Sequence, residues 1–114
     1  MEFKVFKKLK QKTYFLTRLY KFTEAVDDDR KRYYHSRCNV NTDKFQHNSL
    51  YIKVYPNIQK LCLKFEYGSS INYTNKAYYK DIVDNTIDFY KEEEFIPWAD
   101  SIINEFITSI IKGE

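Results

Sequence analysis

Four acidic residues in the C-terminal half, Asp81, Asp84, Asp88 and Glu92, are separated by 3, 4 and 4 positions. On a helix that spacing collects them on one face, opposite Tyr79, Ile82, Val83 and Tyr90. Such a stripe advances about 6 Å every four residues, close to two base-pair steps of about 3.4 Å each. With Glu93 beside it, the stripe is the leading candidate for a partner-binding surface. A row of carboxylates at phosphate-like intervals can occupy the basic groove of a nucleic-acid-handling protein. The same row could hold a divalent cation, or only keep a helix solvated.

The N-terminus carries the opposite chemistry. Lys4, Lys8 and Lys12 lie four apart, with Arg18 and Lys21 further on and Tyr14 and Tyr20 between and beyond them. A basic helix of this kind can contact phosphates, so these five cations are the alternative, nucleic-acid-binding set. The simpler reading is a solvated face, neutralised within the chain.

Catalysis finds less support. His35, Cys38, His47 and Cys62 are zinc-ligand types, and His35-x-x-Cys38 has half-site spacing. The second half-site is missing, however, and Cys62 falls in the middle of an alternating run. Packed cysteines and surface histidines account for the same residues. Nothing local pairs either cysteine with a base. Glycine occurs only at Gly68 and Gly113, too sparsely for a P-loop or a dinucleotide fingerprint, and no serine sits in a nucleophile elbow. No catalytic residue, cofactor or metal ligand is assigned.

A chain of 114 residues with 43% hydrophobic and 31% charged residues is expected to be one globular domain, 1–114. The net charge of +3 conceals a division: residues 1–65 hold 15 basic and 6 acidic residues, residues 66–114 hold 4 and 10. The halves attract each other or steer a charged partner. Phe, Tyr, Met, Ile, Asn and Lys supply 55 residues, against 11 from Gly, Ala, Arg and Pro. That bias fits an AT-rich genome, such as a phage or plasmid of a low-GC bacterium, and accounts for much of the aromatic content. Two cysteines outside any CxxC arrangement indicate a reducing compartment. With neither a membrane span nor a signal peptide visible, the cytoplasm is expected, a host's cytoplasm if the gene is phage-borne.

The elements that must position these residues start from Ser49–Tyr67. Leu50, Ile52 and Val54 alternate with Tyr51, Lys53 and Tyr55; Leu61, Leu63, Phe65 and Tyr67 alternate with Lys60, Cys62, Lys64 and Glu66. Around the turn-forming Pro56-Asn57 this reads as a β-hairpin, whose outward Tyr51, Lys53, Tyr55 and Lys64 form a lesser candidate surface. Upstream, the apolar stripe Phe15, Leu19, Phe22, Val26 reads as helical. Asp27/Lys31 and Asp28/Arg32 pairs favour its continuation, with a break at Lys12–Thr13 or at the Asp triplet. Residues 32–40 fit either helix or strand. From Lys76 to Glu94 the spacing of Tyr79, Ile82, Val83, Thr86, Ile87 and Tyr90 predicts a helix, and Pro97 opens another through Ile111. The expected fold is α+β: an N-terminal helical segment, an antiparallel hairpin or three-stranded sheet, and two C-terminal helices packed on one face. The expected function is a non-enzymatic protein-binding module, such as a phage- or plasmid-encoded inhibitor presenting its acidic helix face to a basic partner. The alternative is a small RNA- or DNA-binding domain using the basic N-terminal helix.

Overall fold

The alternating run through Pro56 is the centre of a five-stranded antiparallel sheet in the computed structural model, which describes residues 22–39, 46–68 and 75–113. The strands are β1 (Thr23–Val26), β2 (Arg32–Cys38), β3 (Gln46–Tyr55), β4 (Lys60–Gly68) and β5 (Asn75–Val83). They pair in chain order, and one helix, α1 (Glu92–Gly113), follows them. This corrects the expected arrangement twice. The sheet has five strands, and among the described residues there is one C-terminal helix.

Both corrections have local physical causes. The Asp triplet makes a turn and does not continue a helix. Asp27 Oδ1 accepts hydrogen bonds from the backbone N–H of Asp29 (2.9 Å) and of Lys31 (2.8 Å). Short acidic side chains compete with helical hydrogen bonds in this way, and here they outweigh the i,i+4 ion pairs. Arg30 closes the loop at φ 62°, the left-handed position common at the end of three-residue hairpin loops. Residues 32–38 are thereby set as strand, pairing with β3 on one side and β1 on the other.

The second correction concerns 76–94. Residues 75–83 form β5 because β4 offers a long unpaired edge: Ile82 lies opposite Leu61, and Tyr78 opposite Phe65. Asp84 and Asp88 then cap tight turns. Helix α1 begins at Glu92, so Pro97 lies inside it and has no N–H to donate toward the preceding turn. Its ring is exposed, where a kinked or strained turn is tolerated. The helix expected through Phe22 and Val26 is also corrected at its end, since Thr23–Val26 is strand β1, paired with β2. Its basic residues Lys4 to Lys21, and the strand expected over 71–73, lie outside the described residues.

One face of the sheet is buried. Tyr34, Ser36 and Cys38 of β2, Leu50, Ile52 and Val54 of β3, and Leu61, Leu63 and Phe65 of β4 are all buried. Phe95, Ala99, Ile103, Phe106, Ile107 and Ile110 of α1 join them in the core cluster. Their helical spacing forms the apolar stripe that a sheet face demands. Phe89, carried on the loop before α1, packs on Phe95 and Trp98 at ring distances of 4.6 and 5.1 Å. Burying one such side chain contributes about 1.5–3 kcal/mol. Because α1 covers one face only, the other face of the sheet is left without a helix among the described residues.

Candidate functional site

The face that no described helix covers is built by the residues that alternate with the core. Cross-strand register places them in rungs, since residues opposite one another share a face. One rung runs Arg37, Tyr51, Lys64, Tyr79 across β2 to β5. The next runs His35, Lys53, Cys62, Asp81. Beyond it Tyr55 and Lys60 are opposite each other, and Lys60 is opposite Val83. The Tyr33 ring lies 5.4 Å from that of Tyr55.

Cations and rings therefore interleave in both directions of the sheet. Lys53 Nζ sits 4.4 Å from the Tyr33 ring centre and 5.3 Å from that of Tyr55. Arg37 lies 5.5 Å from Tyr51, Lys64 lies 5.6 Å from Tyr79, and Lys60 lies 6.0 Å from Tyr55. Each distance is within the range where a ring quadrupole attracts a cation. Two further ring contacts, Tyr33 to His35 at 5.7 Å and His35 to Tyr51 at 5.8 Å, tie the rungs together along β2 and β3.

The surroundings of Lys53 and Lys64 favour their charged forms. Burial pulls the Lys53 pKa down, but a hydrogen bond with the Tyr55 hydroxyl and the neighbouring Tyr55, Tyr33 and Cys62 outweigh it, so the net shift is upward. Lys64 is also raised, first by its hydrogen bond to the Glu66 carboxylate. Cys62, in the rung of Lys53 and flanked along β4 by Lys60 and Lys64, is pushed up to about 11 by burial and then by the nearby Asp81 carboxylate. It is a neutral thiol at ordinary pH, a packing residue and not a nucleophile. A groove of about 320 Å³ runs over this centre, walled by Tyr51, Lys53, Tyr55, Lys60, Lys64 and Tyr79, with the carboxylate of Asp81 at its β5 side. Tyr79 is 68% exposed.

The sequence-predicted acidic set is dispersed. Asp81 is on the open face of β5, opposite Cys62. Asp84 Oδ1 accepts from the Thr86 backbone N–H (2.9 Å) and from the Thr86 hydroxyl, and these bonds hold its carboxyl below the usual value. Asp88 Oδ1 accepts from the Tyr90 N–H at 2.9 Å. Glu92 and Glu93 open α1, where the helix dipole favours negative charge. No helix carries all five. Lys4, Lys8, Lys12, Arg18 and Lys21 lie outside the described residues. His35 and Cys38 project from opposite faces of β2, because an offset of three in a strand reverses the side, and so they cannot share a metal.

The lesser surface of the sequence reading, Tyr51, Lys53, Tyr55 and Lys64, is thus half of a larger one. Tyr33, His35 and Arg37 from β2 and Tyr79 from β5 complete it. Alternation through 32–38 was the signal for the first three; Tyr79 carried none, because its neighbourhood also fits a helix. No helix among the described residues is long and apolar enough to cross a membrane. Comparison with protein-family models, with curated proteins and with solved structures found nothing that matches this chain.

Proposed function

We propose that this chain is a non-enzymatic binding protein that takes single-stranded nucleic acid on the open face of its sheet. The observation that carries the reading is the interleaving of Tyr33, Tyr51, Tyr55 and Tyr79 with Arg37, Lys53, Lys60 and Lys64 on that face. Tyr79 is exposed and Tyr33 and Tyr51 are partly exposed, whereas Tyr55 is 7% exposed and supports Lys53 and Lys60 from below. A base stacked on an accessible ring contributes about 1–3 kcal/mol, whatever its identity. Cations beside the rings neutralise the phosphates that connect the bases. Tyr51 and Tyr79 are two strand spacings apart, about 9.6 Å, so each can take its own base.

The inhibitor reading, with a carboxylate row offered to a basic protein, has lost its physical basis. Asp84 and Asp88 cap their own turns, and Asp81 is on a different element from Glu92 and Glu93. Cys38 and Cys62 lie on opposite faces of the sheet and form no disulfide, which fits a reducing compartment such as the cytoplasm.

Fluorescence anisotropy with labelled oligouridylate and oligothymidylate across a salt series tests the reading. Each phosphate contact contributes about 0.7 to the log–log salt slope for a single strand. Lys53→Ala with Lys60→Ala should flatten the slope by about 1.4, and Tyr51→Ala with Tyr79→Ala should weaken binding without changing it. Absence of binding even at low salt, or equal capture of polyglutamate, would overturn the proposal.

A further inference from the structure

A second groove, of about 410 Å³, opens where the β1–β2 turn meets the short three-ten turn Pro56–Ile58. Val26, Arg30, Lys31 and Arg32 of the β1–β2 hairpin line it together with Asn57 and Ile58 of the three-ten turn. The described lining holds three cations and no carboxylate, although Asp28 and Asp29 are in the same turn. Arg32 is engaged by Glu24 at 2.8 Å, and Lys31 feels the Asp27 carboxylate of its own turn; among the described residues neither Arg30 nor Lys31 is seen in a salt bridge. Val26 and Ile58 are 60% and 40% exposed, so both offer apolar surface to the groove. Asn57 Oδ1 already accepts from the Tyr90 hydroxyl at 2.7 Å, so its amide nitrogen is the end left to donate.

This groove adjoins the sheet-face groove, and Tyr55 lines both. The Tyr55 hydroxyl donates to Asp27 Oδ2 at 2.9 Å, and Asp27 Oδ1 organises the turn that carries Arg30 and Lys31. The shared ring and the cationic wall are thus held in one fixed relation.

We infer that the groove is a second subsite for the same strand, resting on the reading above. One nucleotide beyond the sheet face places its base against Val26 and Ile58, within reach of the Asn57 amide. Its phosphates meet Arg30 and Lys31. The volume is adequate for one nucleotide, at the lower end of small-ligand sites. Apolar exposure explains why this groove would take a base and not an inorganic anion alone. Its cations explain why it would not take an uncharged apolar ligand.

Length dependence tests the inference. Oligouridylates of about four and about ten nucleotides span the range over which one small domain's site fills. Arg30→Glu with Lys31→Glu should leave the affinity for the short strand within about twofold. It should weaken the long strand about tenfold and flatten its salt slope by about 1.4. Equal loss for both lengths, or for neither, overturns the inference while leaving the sheet-face reading standing. An independent arm titrates uridine monophosphate and follows backbone amide resonances of Val26, Arg30 and Ile58. Shifts there that vanish in Arg30→Gly, a variant whose backbone suits the turn, support the subsite even if no strand binds the sheet. Unmoved resonances at millimolar nucleotide overturn it.

Discussion

The thiol of Cys62 offers a direct measurement of the physics of the open face. Its pKa is pushed from an ordinary 9.0 up to about 11, by burial first and by Asp81 second. At pH 8 the thiolate fraction falls from about one tenth to about one thousandth, a hundredfold loss of the reactive species. A more basic thiolate is a better nucleophile, with a Brønsted coefficient of about 0.4–0.5, which restores roughly eightfold. The folded protein should therefore react about tenfold more slowly at Cys62 than the urea-unfolded chain, before any steric shielding. Alkylation by iodoacetamide, resolved by peptide mass spectrometry, reads Cys62 and Cys38 separately. Cys38, 5% exposed on the core face, should react only through opening and so serves as an internal control. The Cys62 rate should keep climbing from pH 9 to 11 where the unfolded chain levels off. Asp81→Asn should move the profile to lower pH but not to 9.0, since burial remains. A plateau near pH 9 in the folded protein would refute the placement of Cys62 between β3 and β5. The sign for stability follows: a thiol kept protonated by folding contributes fully below pH 9, and that contribution is lost as pH rises toward 11.

Three further outcomes are expected. Ile103, fully buried in α1 against the sheet, should cost about 2–5 kcal/mol as Ile103→Ala in urea unfolding, with an unchanged m-value. Arg30→Gly should stabilise by up to about 1 kcal/mol, because the left-handed turn position strains any side chain, whereas Arg30→Val should lower the melting temperature. The Asp27 carboxyl is held below its ordinary value, first by the Lys31 N–H, with the Tyr55 hydroxyl adding to it against an opposing burial contribution. Its stabilisation is present above about pH 4 and is lost as pH falls through the lowered pKa. Thermal melts should show Asp27→Asn less stable at pH 7, with the gap closing by pH 2; a constant gap would contradict the hydrogen-bonded carboxylate.

The parts of the fold that were legible in the sequence are those set by local patterns. Strict alternation from Leu50 to Tyr55 and from Leu61 to Tyr67 has one conformational reading, and Pro56-Asn57 supplies its turn. The apolar spacing from Ala99 to Ile110 likewise admits only a helix. Residues 76–90 were misread because Tyr79, Ile82 and Val83 satisfy both periods: on a helix all three share a face, whereas in β5 Tyr79 and Val83 face away from Ile82. The deciding partner, the edge of β4, is remote from any local signal. The Asp triplet was misread because its ion-pair spacing is visible in sequence, while the competing bonds from Asp27 to the Asp29 and Lys31 N–H groups depend on geometry.

The sequence by itself determined which residues alternate, and so which side chains share a face of each strand. Only the tertiary structure decided what those faces do. Three strands with the same alternation had to be set in register before Tyr33, Arg37, Tyr51, Lys53 and Lys64 became one surface. A single amphipathic helix then covers one side of the sheet, the side with Leu50, Ile52 and Phe65, because apolar area leaves water there. The cationic and tyrosine side, whose burial would cost the hydration of its charges, is the one that no described helix covers.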